Sequence, residues 1–204
     1  MAQPLNRLKE SPSQTAGPYV HIGLTPNFCG ISGVYDHDLG DAMVNAKTGG
    51  ERVTVCMRVL DGTGTPLRDA LIEVWQADAA GLHTSPAETR GDADPNFFGW
   101  SRRATDMETG ECMFETIKPG RVPFPDGRLM APHISVWIVA RGINLGLHTR
   151  MYFGDEEKAN AEDPILARIE HRTRVPTLIA PRDGDQYHFD IHLQGEKETV
   201  FFDS

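Results

Sequence analysis

From residue 52 onward the chain alternates. Val53, Val55, Met57 and Val59 are interleaved with Thr54, Cys56, Arg58 and Leu60, and a period of two sends successive side chains to opposite faces of a strand. The turn Asp61-Gly62-Thr63-Gly64-Thr65-Pro66 ends that strand, and Ala70-Leu71-Ile72-Glu73-Val74-Trp75 reads as the next. After the aromatic loop Asp94-Pro95-Asn96-Phe97-Phe98-Gly99-Trp100, strands are predicted over 101–105, 113–116, 133–140 and 148–153. Tyr187, Phe189, Ile191 and Leu193 alternate once more. The turn Gln194-Gly195-Glu196-Lys197 and a returning segment 198–202 then predict a closing hairpin. One helical patch interrupts the strands. Asp155 is a candidate N-cap for 155–160, and Pro164 suits the first turn of a second short helix over 165–169.

Residues 1–50 lack this periodicity and carry turn markers instead: Ser11-Pro12-Ser13, Gly17-Pro18, Thr25-Pro26-Asn27 and Gly49-Gly50. Such a segment without its own core has to pack on this domain or on a partner chain. The predicted architecture is therefore mainly β: an antiparallel or mixed β-sandwich over 51–204, a long N-terminal arm over 1–50 that forms an interface, and one or two short helices.

Composition narrows the partners. The 204 residues are 39% hydrophobic and 24% charged, ordinary for a globular domain, and the formal net charge is −9. That charge disfavours nucleic acid or an anionic membrane as partner. No apolar run approaches the ~20 residues that span a bilayer, and the first residues lack the apolar core of a signal peptide. Cys29, Cys56 and Cys112 are an odd, unpatterned set, better read as reduced thiols than as disulfides or zinc ligands. A cytoplasmic location is expected.

Several residues invite a chemical reading, each beside a plainer one. His188, Asp190 and His192 share one strand face and are suitable metal ligands, but a solvated face opposite Tyr187, Phe189 and Ile191 explains the same alternation. His133 precedes an apolar strand; its i+2 neighbour is Ser135, a poor ligand, and nearby Val122 and Phe124 cannot ligate, so a backbone-satisfied histidine accounts for it. Arg141, held before Gly142, suits a carboxylate through its bidentate fork, although an ordinary surface arginine fits equally; Arg150 is a weaker instance. In Thr15-Ala16-Gly17-Pro18-Tyr19 a hydroxyl, a permissive glycine and a rigid proline would let a ligand approach the backbone, as would any plain turn.

Longer motifs resolve the ambiguity. Thr15-Ala16-Gly17-Pro18-Tyr19-Val20-His21-Ile22-Gly23-Leu24, Glu73-Val74-Trp75-Gln76-Ala77-Asp78, Asp94-Pro95-Asn96-Phe97, Thr116-Ile117-Lys118-Pro119-Gly120, Pro132-His133-Ile134, Ala140-Arg141-Gly142-Ile143-Asn144 and Glu198-Thr199-Val200-Phe201-Phe202 follow in order along almost the whole chain. In these the chain resembles the intradiol ring-cleaving dioxygenases. The resemblance implies non-haem Fe(III) held by two tyrosinates and two histidines, with an arginine just before the histidine pair. It implies cleavage of protocatechuate by O2 between the two hydroxyls, giving 3-carboxy-cis,cis-muconate in aromatic catabolism.

Laid on that pattern, this chain has lost the ligands. The loop tyrosine is Val122, the second histidine is Ser135, the arginine is Met130, and the upstream tyrosine falls near Thr89. No tyrosine stands between Tyr35 and Tyr152 to replace it. His133 is a remnant. The resemblance thus implies a non-ferric alpha chain with no catalytic or metal residue of its own, paired with a homologous beta subunit that binds the iron, in a higher-order alpha–beta oligomer. It assigns Thr15, Gly17, Pro18 and Tyr19 to the wall of the partner's substrate pocket and Arg141 to its entrance. There a local positive charge would counter the −9 background, whose reach is limited to a screening length of ~8 Å. The alternatives are a self-sufficient dioxygenase with unusual ligands and a non-catalytic β-sandwich binding module.

Overall fold

A computed structural model of the chain describes residues 14–144 and 146–203. Residues 1–13 of the expected arm, with the turn at Ser11-Pro12-Ser13, lie outside them. Two sheets face each other. The first, in the order β4-β1-β9-β8, joins β1 (Arg52–Leu60), β4 (Glu111–Ile117), β8 (Arg182–Asp183) and β9 (Gln186–His192). The second, in the order β3-β2-β5-β6-β7, joins β2 (Leu71–Trp75), β3 (Trp100–Ala104), β5 (His133–Val139), β6 (Leu147–Phe153) and β7 (Ile179–Ala180). β1 pairs with β9 and β6 with β7 in parallel; the other pairings are antiparallel. The mixed β-sandwich read from the alternation is the fold observed.

The same alternation builds the core. Val55, Met57 and Val59 of β1, Phe114 of β4 and Ile191 of β9 meet Ile72, Val74, Ile134, Val136 and Met151 of the other sheet, all buried. Each fully buried side chain of this size is worth about 1.5–3 kcal/mol. Met43 joins this core and Val44 forms a bridge with Phe97, so the end of the N-terminal segment is packed on the domain.

Local structure departs from expectation in three places. A seven-residue helix, α1 (Pro18–Leu24), stands inside the segment read as irregular. It buries none of its residues, so it leaves no amphipathic stripe to detect; its sequence signal is Pro18 at the first turn.

Asp155 does not cap α2 (Glu157–Glu162). Glu156 holds that position without a side-chain bond. The Asp155 carboxylate instead accepts from Lys118 (2.7 Å), Arg182 (2.9 Å) and the Tyr187 hydroxyl (2.9 Å). Burial pushes this carboxyl up, but those three hydrogen bonds outweigh it and bring it down to about 2. The second expected helix shrinks to one 3-10 turn at Leu166–Arg168, whose start is capped by the Asp163 carboxylate accepting from the Ile165 and Leu166 N–H groups (both 2.8 Å).

The closing hairpin does not form either. Thr199 still donates to the His192 carbonyl (2.9 Å), but Phe202 leaves β9 and bridges to His148 in the opposite sheet. β9 pairs along its length with β1, and β8 takes its other edge only at Gln186 and Tyr187.

Candidate functional site

Of the predicted arm residues, Thr15 meets the Arg141–Gly142 turn at one end of β5, and Gly17, Pro18 and Tyr19 follow it at the start of α1. Thr15 is the clasp: its Oγ1 accepts from the Gly142 N–H (2.8 Å) and its hydroxyl donates to the Ala140 carbonyl (3.5 Å). Gly142 has φ +89°, and its tight turn leaves Arg141 at the apex. The Arg141 side chain is 80% exposed, with Nε 3.4 Å from Asp69 Oδ2. Asp69 also receives the arm, its carbonyl accepting from His21 Nε2 (2.9 Å). Gly17 and Pro18 form the start of α1, and Tyr19 projects into solvent at 84% exposure. An open groove of about 630 Å³ runs beside Arg141, along Asp69, Ile143, Asn144 and Gln194.

His133 lies elsewhere. It opens β5, whereas Arg141 sits two residues past its end, a separation of about 25 Å at the rise of a strand. Its ring is buried and tilted against Tyr152 at 5.7 Å. Nδ1 lies 2.8 Å from the Ala131 carbonyl, which can only accept, so the proton is on Nδ1. Burial pulls the imidazole down to about 4, and the Arg150 guanidinium adds to the depression. Its approach loop is fixed by Asp163, fully buried, whose Oδ2 accepts from the Ala131 N–H (2.7 Å).

These surroundings do not fit a ferric ion. Val122 and Met130 face each other across a short hairpin, the Met130 N–H donating to the Val122 carbonyl (2.8 Å), and neither supplies an anionic oxygen. Ser135 replaces a second imidazole on the same strand face, and Thr89 is exposed. Arg150, directly across from Ser135 in the β5–β6 register, donates to Met130 Sδ at 3.4 Å. A fixed guanidinium at this point repels a cation. Among the described residues no three His, Cys, Asp or Glu side chains converge on a metal position. On β9, Asp190 is held by Arg58 in a bidentate pair (2.8 and 2.7 Å), which occupies the carboxylate of the His188–Asp190–His192 face.

Sequence reasoning missed Asp163 and Asp69. Neither stands in a pattern; both act through backbone contacts that only the fold creates. It also missed that Trp75, Trp100, Trp137 and His148 share a sheet face. The pairing of Glu73 with Trp137 and of Trp137 with His148 would have been readable had the strand order been known.

A family model described as "Dioxygenase" matches residues 24–195. The protocatechuate 3,4-dioxygenase alpha chain of Pseudomonas putida is 45% identical over 204 residues, 98% of this chain and 99% of that one. The protocatechuate 3,4-dioxygenase beta chain of Burkholderia cepacia is 36% identical over 178 residues, 82% of this chain and 75% of that one. Among solved structures, 3-chlorocatechol 1,2-dioxygenase from Rhodococcus opacus 1CP has a TM-score of 0.57 at 21% identity, covering 79% of this chain and 67% of that one, a likeness of fold. Sandwich, motif order and relatives agree: this chain belongs to the intradiol ring-cleaving dioxygenase family.

Proposed function

We propose that this chain is the non-ferric alpha subunit of a protocatechuate 3,4-dioxygenase. In this reading a homologous beta subunit binds the non-haem Fe(III), and protocatechuate and O2 meet in the partner's pocket. One observation carries the reading: the cluster of Thr15, Gly17, Pro18, Tyr19 and Arg141 stands at the opposite end of β5 from His133. Thr15 ties the arm to the Gly142 turn, and the group is too far away to serve this chain's own remnant site. A wall placed outward serves a neighbour.

The division of labour follows from charge and shape. The partner's iron supplies the oxidative chemistry. This chain contributes backbone surface at Gly17 and Pro18 and an exposed guanidinium at Arg141, which favours arrival of a carboxylate-bearing ring against a net charge of −9. Residues 1–50 act as the interface-forming arm and 51–204 as the sandwich domain, in a higher-order alpha–beta oligomer. We place it in the cytoplasm, with neither nucleic acid nor membrane as partner; no helix among the described residues is long and apolar enough to cross a membrane.

Co-expression with and without a homologous iron-binding chain tests this. Iron content and ring cleavage should appear only in the complex. A chain that binds about one iron and turns over alone would establish a self-sufficient enzyme, and a chain that never co-purifies with such a partner would establish a non-catalytic module.

A further inference from the structure

All three tryptophans of the chain stand on one wall. Trp75, Trp100 and Trp137 lie on the outer face of the five-stranded sheet, and with Ser135, His148 and Arg150 they line an open cavity of about 490 Å³. The aromatic surfaces are held in place. Gly146 packs on the Trp137 indole so closely that any Cβ would collide with the ring. Trp137 is tilted against His148 at 6.4 Å, and Trp75 stacks on His83 at 5.6 Å. Trp100 sits under Arg102 at 5.0 Å, and Arg102 neutralises Glu73 at 2.6 Å.

Arg150 has no such counter-charge. Its guanidinium is half-buried, contacts the Met130 thioether at 3.4 Å and interacts with the Tyr152 hydroxyl, and it forms no ion pair among the described residues. A thioether is a weak acceptor for a group with five N–H donors. A planar cation left unpaired beside aromatic walls matches a carboxylate on a flat ring. The fork binds the two oxygens, and the rings of the wall cover the ligand's faces. Two carboxylates oppose the Arg150 charge: Asp203, exposed at the rim of the same cavity, and the buried Asp163, which shares the Tyr152 hydroxyl with Arg150 (Oδ1 3.4 Å from that hydroxyl). They weaken anion entry, and neither forms an ion pair with Arg150.

We infer that this cavity is a ligand site in its own right, taking a small aromatic carboxylate with its carboxylate on Arg150 and its ring among Trp75, Trp100 and Trp137. It needs neither metal nor partner chain, so it stands or falls separately from the assembly proposed above. Cavities of a few hundred Å³ suit ligands of this size.

The test is calorimetric titration of the purified, iron-free full chain with 4-hydroxybenzoate. Tryptophan fluorescence provides a second readout, since every indole of the protein lines the cavity. Saturable one-site binding with a Kd on the order of 0.1 mM is expected for a ligand of ten heavy atoms. Phenol, which lacks the carboxylate, should bind at least tenfold more weakly, and Arg150→Gln should weaken 4-hydroxybenzoate at least tenfold. Ser135→Leu, which fills the cavity while leaving the guanidinium, should abolish binding even if the arginine variant does not fold. Non-saturating heats, equal affinity for phenol, or an unchanged Kd in folded Arg150→Gln would overturn the inference. So would loss of the site when the chain assembles with its iron-binding partner, which would make the cavity an interface.

Discussion

His133 gives the sharpest quantitative expectation, because its burial couples its protonation to the stability of the whole domain. The imidazole titrates near 6.5 when the chain is unfolded and at about 4 in the fold. The folded protein therefore binds fewer protons between those values, and stabilisation that is fully present above pH 6.5 is lost as pH falls toward 4. Each unit of difference is worth about 1.4 kcal/mol, so the loss from this residue is about 2 kcal/mol at pH 5 and about 3 kcal/mol at pH 4. Other groups titrate in the same range, and the perturbation that isolates His133 is a difference. Urea unfolding of the native chain and of His133→Leu is followed from pH 8 to pH 4. The variant is expected to be less stable at pH 8, since it leaves the Ala131 carbonyl without its donor. On acidification it should lose about 3 kcal/mol less than the native chain, so the two curves converge. Parallel curves would refute the argument, as would an NMR titration of the His133 ring with a midpoint above 6.

Three further expectations are independent of that one. In the assembled enzyme, Arg141→Ala should raise the KM for protocatechuate about two- to fivefold, the scale of an exposed and screened charge, while leaving catechol unchanged; equal effects on both substrates would remove the carboxylate role. Asp163→Asn turns an acceptor toward three backbone N–H donors into a partial donor and should destabilise the domain by about 3 kcal/mol, read from the urea midpoint. Gly81→Ala forces a Cβ onto the Arg121 carbonyl at a φ of +80°. It should cost about 2–3 kcal/mol in thermal unfolding, and an unchanged Tm would show that the loop gives way freely.

The strands were legible because a sandwich writes itself in alternation. The Val53, Val55, Met57, Val59 series predicted β1 over Arg52–Leu60, and the apolar run after His133 predicted β5. Where local and distant partners competed, the distant ones won and no local rule could announce it. Asp155 resembled a helix cap, yet Lys118 on one side and Arg182 and Tyr187 on the other offered its carboxylate three donors from residues far apart in sequence. Phe202 resembled the return strand of a hairpin, yet it bridges to His148 in the opposite sheet. Parallel pairing of β1 with β9 joins residues more than a hundred apart, a relation that turn chemistry does not encode.

The site divides along the same line, and the division bears on how the chain works. On the family resemblance, Val122 and Ser135 stand at ligand positions and Met130 at the arginine position, a matter of residue identity that sequence suffices to see. What replaced them is spatial. Arg150, seventeen positions beyond His133 in the chain numbering, comes to lie across from Ser135 only because β5 and β6 pair in one particular register. A shift of one residue would turn it into the core. The guanidinium then does two things at once. It adds to the burial that keeps His133 neutral, and it leaves a cation facing the aromatic cavity where a metal would otherwise be sought. If Arg150 were only a relic, exchanging it for a neutral residue should raise the His133 pKa and change nothing else. Loss of aromatic-acid binding in the same variant would tie both effects to one charge, so measuring the two together in Arg150→Gln separates a vacant frame from a site put to a different use.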